Sequence, residues 1–150
     1  MDSSSGIQGG SIQASLGGRY ATALFDLAAG ARTIETVEAS LAKVRAALDQ
    51  SDDFKALTTS PVVARDAAAR AVLATADELG VDATTRNFLG VLAHNRRLAE
   101  LPAIIRAFRA LAARHRGEVT AEVTSAHALA DDQVAELKQQ LRQRIGREVS

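Results

Sequence analysis

Apolar residues recur along this chain at spacings of three and four through six successive segments, then at a spacing of two over one short stretch. The first period marks helices with a buried face and the second a half-buried strand. A first helix is expected from about Leu16–Arg19 to Gly30, with Tyr20, Ala23, Leu24 and Leu27 on one stripe and Ala21, Phe25 and Ala28 on the next. A second, from about Thr33 to Gln50, carries a narrow seam of Ile34, Val37, Leu41, Val44 and Leu48. Ser51 is placed to cap a short third helix containing Phe54 and Leu57, and Ser60-Pro61 is read as ending it and opening a fourth, which Gly80 closes. Asp82 caps a fifth helix reaching about Asn95, with Phe88, Val91, Leu92 and Asn95 on one face and Leu89 beside them. A sixth runs from about Ala99 to Arg116, carries Leu101, Ile104, Ile105, Phe108 and Leu111, and is expected to stop at Gly117.

Beyond Gly117 the alternation of Val119, Ala121 and Val123 with Glu118, Thr120, Glu122 and Thr124 predicts a strand. A helix follows, capped by Asp131 or Asp132, with Val134, Leu137, Leu141 and Ile145 on its stripe, and Glu148–Ser150 reads as a strand stub. The expected fold is therefore mainly α: residues 1–15 as a flexible tail, 16–116 as a six-helix bundle, and 117–150 as the start of a small α/β domain whose remaining strands are missing. The first and fifth helices are apolar over more than one stripe, and a helix packed on a single core needs only one, so both have surface left for a partner.

Composition narrows the function classes. The chain has 150 residues, and 18 basic side chains balance 18 acidic ones, so it lacks the positive field with which nucleic-acid binders neutralise phosphate. Aromatic residues are 3% of the chain, few for stacking on bases or lining a ligand pocket. Cysteine is absent, which removes disulfides, thiolate metal sites and cysteine nucleophiles. Charges break every apolar run well short of the roughly 20 residues a membrane crossing needs. His94, His115 and His127 show no paired ligand spacing, so no metal is expected. Asp52-Asp53 and Asp131-Asp132 fall at expected helix starts, where carboxylates serve as caps, and Arg96-Arg97 and Arg114–Arg116 at expected helix ends. No phosphate loop, nucleophile elbow or dinucleotide fingerprint occurs, and neither a catalytic residue nor a cofactor is expected.

The segments RYATALFDLA (Arg19–Ala28) and NFLGVLAHNRRL (Asn87–Leu98) resemble the two signature helices of the F-type ATP synthase delta family, called the oligomycin-sensitivity-conferring protein in mitochondria. The similarity continues through DFKALTTSP (Asp53–Pro61), the Leu101–Phe108 helix and EVTSAHALADDQVAELKQQL (Glu122–Leu141). The resemblance implies a non-catalytic stator subunit. Its helical bundle would cap the catalytic head, and its C-terminal domain would meet the b-type subunits of the peripheral stalk. It also implies a groove between the first and fifth helices that receives the amphipathic N-terminal helix of a head alpha subunit. Carried onto this chain, the groove residues are Tyr20, Ala23, Leu24, Leu27, Phe88, Val91 and Leu92. Such a subunit would be peripheral, with no direct membrane insertion and no nucleic acid partner. The absence of a transit-like N-terminus points to the cytoplasmic face of a bacterial inner membrane rather than an organelle. An unrelated helical adaptor holding a different amphipathic helix fits the same broad faces.

Overall fold

The computed structural model describes residues 15–149, with side chains placed through Arg144. The expected tail lies outside the described residues apart from Ser15, as does Ser150. Among the described residues the α-helices are, in order, α1 Leu16–Gly30, α2 Ile34–Gln50, α3 Asp52–Thr59, α4 Arg65–Leu79, α5 Ala83–His94 and α6 Leu101–Val149, with a 3₁₀ turn, Leu98–Glu100, before the last. The chain divides into two compact units at Ala112/Ala113.

Local chemistry sets the boundaries within the first unit. Ser15 Oγ accepts from the Gly18 N–H at 2.9 Å and starts α1. Ser51 works at two ends: its N–H donates to the Ala47 carbonyl at the end of α2, and its Oγ accepts from the Phe54 N–H at 3.1 Å to open α3. Gly80 sits at φ 71°, the left-handed position that ends α4 without a Cβ clash. Asp82 caps α5 through the Thr85 N–H and takes the Thr85 hydroxyl at 2.6 Å. The fourth helix opens at Arg65 and not at Pro61, because Ser60 Oγ accepts from the Val62 N–H at 3.4 Å in a local turn that precedes the helix.

These elements enclose one core. Leu24, Leu41, Leu89, Leu92, Leu101, Ile104, Ile105 and Phe108 are its large fully buried members, with Val37, Val44 and Val72 among them. At α1, Gly17 permits the closest approach, since a Cβ there would lie 2.9 Å from the Ala103 Cβ of α6. Eight residues further on, Phe25 meets Phe108 edge to face at 5.7 Å between ring centres. Arg86 Nε donates to Asp77 Oδ1 at 2.6 Å, with a second N–H to the other carboxylate oxygen, clasping the α4–α5 hairpin.

The C-terminal expectation needs correction. Residues 119–124 are helical, Glu148 and Val149 are helical, and no strand occurs among the described residues, so the expected α/β domain is not found. Gly117 does not stop the sixth helix, and Asp131-Asp132 and Arg114–Arg116 lie inside it rather than at its ends. A lone strand would leave its N–H and C=O groups without a ladder, whereas a helix pairs them within the segment. Val119 and Val123 are four apart, so the same residues satisfy both periods. Gly117 costs only about 1 kcal/mol relative to Ala in a helix interior, too little to break one by itself.

Candidate functional site

The residues singled out on α1 and α5 fall at two depths. Leu24 and Leu92 are fully buried and Phe88 nearly so, and these three belong to the core. Ala23 is exposed, Leu27 is 63% exposed and Val91 49% exposed, which leaves three apolar side chains on the outer surface of the two helices. Tyr20 is half-buried between the layers. Its ring meets Phe88 edge to face at 6.3 Å, and its hydroxyl accepts from Asn95 Nδ2 at 3.2 Å. That pair of contacts brings α1 against α5.

Both helices end in the same way. Arg32 and Arg96 each take a positive φ, 59° and 55°, and the following N–H returns to a carbonyl inside the helix: Thr33 to Ala28 at 2.8 Å, and Arg97 to Leu92 at 2.7 Å. This hydrogen-bonded reversal normally favours Gly, and Arg holds it here at some strain. The Arg96 guanidinium donates to the Val63 carbonyl at 3.3 Å, fastening the end of α5 to the segment before α4.

The start of α5 is fixed from α2. The Asp82 N–H donates to Ser40 Oγ at 3.0 Å, and Ser40 is buried. Partial burial pushes the Asp82 carboxyl upward, but the Thr85 hydroxyl, Ser40 and nearby backbone N–H groups together outweigh it and hold the group below its ordinary value. The carboxylate therefore stays charged as a cap. Among the described residues no group of three or more His, Cys, Asp or Glu side chains could hold a metal, and Asp52 and Asp53 lie in the first turn of α3.

One concavity lies away from α1 and α5. A cleft of about 820 Å³ is lined by Lys43, Ala47, Phe54, Leu57, Ala71 and Leu79, from α2, α3 and α4. Sequence reasoning did not anticipate the buried Gly17-Gly18 pair, although two glycines opening an apolar helix are a signal for close packing. It also missed that α6 carries exposed apolar residues along Ala113–Arg144, because those were assigned to a strand and a separate helix.

A helical bundle that leaves apolar side chains of two neighbouring helices on its surface has the make-up of a protein-interaction subunit. The family described as ATP synthase delta (OSCP) subunit matches residues 16–150. The chain is 60% identical over 141 residues to ATP synthase subunit delta of Rhizorhabdus wittichii, an alignment covering 94% of this chain and 77% of that protein. It is 52% identical over 149 residues to the protein of the same name from Erythrobacter litoralis, covering 99% and 78%. Against that of Sinorhizobium medicae it is 51% identical over 132 residues, covering 88% and 70%. The chain belongs to the ATP synthase delta (OSCP) family, and its role is that of a non-catalytic stator subunit. No helix among the described residues is long and apolar enough to cross a membrane.

Proposed function

We propose that the α1–α5 face receives the amphipathic N-terminal helix of an ATP synthase alpha subunit, so that residues 16–116 hold the catalytic head. Residues 117–150 then carry the connection toward the b-type subunits of the peripheral stalk. The subunit works as a peripheral component at the cytoplasmic face of a bacterial inner membrane. Its function is mechanical: it keeps the head from turning with the rotor.

The observation that carries the reading is the pairing of exposed Leu27 and Val91 on the two helices that Tyr20, Phe88 and Asn95 bring together. Small Ala23 beside them lets a partner backbone come close. Buried Leu24, Phe88 and Leu92 form the floor, which makes the receiving surface rigid before binding and lowers the ordering cost.

The test is titration of the chain with a peptide of the alpha subunit's N-terminal helix. Burying a side chain the size of Val or Leu contributes about 1.5–3 kcal/mol, so Val91→Asp and Leu27→Asp are each expected to weaken binding by about tenfold or more. Ala23→Asp, which sets a charge at the closest approach, acts in the same direction. Val62→Asp, also apolar and exposed but outside this face, serves as the control and leaves affinity unchanged. Unaltered affinity in folded Val91→Asp and Leu27→Asp variants overturns the assignment.

A further inference from the structure

Hydrogen-bonding groups interrupt the apolar face of α1 and α5 at one level. Along α1, exposed Leu16, Ala23 and Leu27 share a stripe with half-buried Tyr20, which falls between the first two. At about 100° per residue these four positions lie within about 60° of arc, as Phe88, Val91 and Asn95 do on α5. The Tyr20 ring stands edge to face on Phe88 at 6.3 Å, and its hydroxyl meets exposed Asn95, whose Nδ2 donates to it at 3.2 Å. A Cβ on Gly17 would lie 2.9 Å from the Ala103 Cβ, just past the end of α5, so α1 begins where α5 ends and the two run in opposite directions. Leu27 and Val91 therefore lie on the same side of the Tyr20–Asn95 pair, and Leu16 on the other.

The pair has hydrogen-bonding capacity left over. A phenol hydroxyl both donates and accepts, and a primary amide carries two N–H donors and one carbonyl acceptor. Their mutual bond is the only side-chain hydrogen bond either makes among the described residues. Whichever way the amide is turned, at least one donor and one acceptor remain. Water fills them while the face is open. A docked helix removes that water, and an apolar side chain set over the pair would bury both groups without partners. A side chain that donates and accepts replaces the water in full. The pair carries no charge, so nothing in it offsets the desolvation of an ionised group.

We infer that Tyr20 and Asn95 read one uncharged polar side chain, an Asn, Gln, Ser or Thr, on the helix that docks between α1 and α5, and that this contact fixes the helix's register. Apolar contacts alone fix it weakly, because a slide of one turn, about 5.4 Å, sets one apolar side chain where another had been. The polar pair penalises every slid arrangement that covers it with an apolar group, as a single buried Asn does in a coiled coil. The inference rests on α1–α5 being the docking face, and it adds Asn95 to that face as a residue that selects the partner.

The test is an alanine scan of the alpha subunit's N-terminal peptide, titrated against the unmodified chain and against Tyr20→Phe, which keeps the ring on Phe88 and removes only the hydroxyl. One uncharged polar peptide position is expected to lose about tenfold in affinity on the unmodified chain and less than about twofold on Tyr20→Phe. Asn95→Leu is expected to erase the same difference, and Tyr20→Phe alone carries the test where Asn95→Leu does not fold. A Tyr20–Asn95 bond that only braces the two helices would weaken every peptide alike, with no coupling to one position. If the peptide binds and Val91→Asp weakens it, but each alanine substitution loses the same factor on Tyr20→Phe as on the unmodified chain, the inference is overturned and the docking face stands. A peptide that does not bind the unmodified chain overturns both.

Discussion

At the scale of single residues, two glycines show how space decides the sign of a substitution. Gly17 faces α6 so closely that a Cβ would lie 2.9 Å from the Ala103 Cβ and 3.5 Å from the Ile104 backbone nitrogen. Overpacking of this kind costs about 1–3 kcal/mol, so Gly17→Ala should lower the denaturant midpoint despite its better helix propensity. At Gly90 the same Cβ would meet only Leu73 Cδ2, at an ordinary 3.6 Å. Gly90→Ala should therefore raise stability, by up to about 1 kcal/mol. If both variants shift the midpoint the same way, the close approach of α1 to α6 is wrong. Asp82 adds a pH dependence. Its folded carboxyl is held below the ordinary value near 3.8, so its contribution is present above that value and is lost as pH falls through the folded one. Asp82→Ala should cost about 1 kcal/mol at neutral pH, and the gap to the unmodified chain should close on acidification below about pH 4. A gap that widens in acid would contradict the capping role.

Whole elements were legible where their signal is local. Ser51, Gly80 and Asp82 act through hydrogen bonds or dihedrals within a few residues of themselves, and each does in the structure what its residue type announces. The boundary between core and surface on α1 was less legible. Leu24 and Leu27 share a stripe, yet one is fully buried and the other 63% exposed, because the edge of the core depends on where the neighbouring helices come to lie. That is a tertiary fact, and spacing along one helix does not contain it. The same limit explains the seven proposed partner-face residues, which the family resemblance carried onto the chain and packing divided into floor and surface. Ser60-Pro61 shows the converse: a favoured helix-opening dipeptide is captured by a side-chain turn, and the helix waits until Arg65. Gly117 failed as a stop because a glycine ends a helix only when the chain adopts the left-handed turn that glycine permits, and here it remains helical. Replacing Gly117 with Ala should then raise helicity by circular dichroism and add up to about 1 kcal/mol to that segment. A loss of helicity would mean that the glycine is needed for a turn after all.

Across the molecule the two units differ in what holds them. In the first, α1–α5 and the opening of α6 share one core whose large side chains are sealed, so opening any helix exposes apolar surface belonging to several others. In the second, every side chain from Arg116 to Arg144 is exposed, and backbone hydrogen bonds along one helix supply the order. An isolated helix of this kind opens with little free energy, whereas the bundle opens only near its global stability. Limited trypsinolysis at low concentration should therefore cut first at Arg114, Arg116, Lys138, Arg142 or Arg144 and leave a resistant core ending near Arg114–Arg116. Early loss of bundle fragments, with residues 117–144 intact in the dilute chain, would reverse this ranking of the two units.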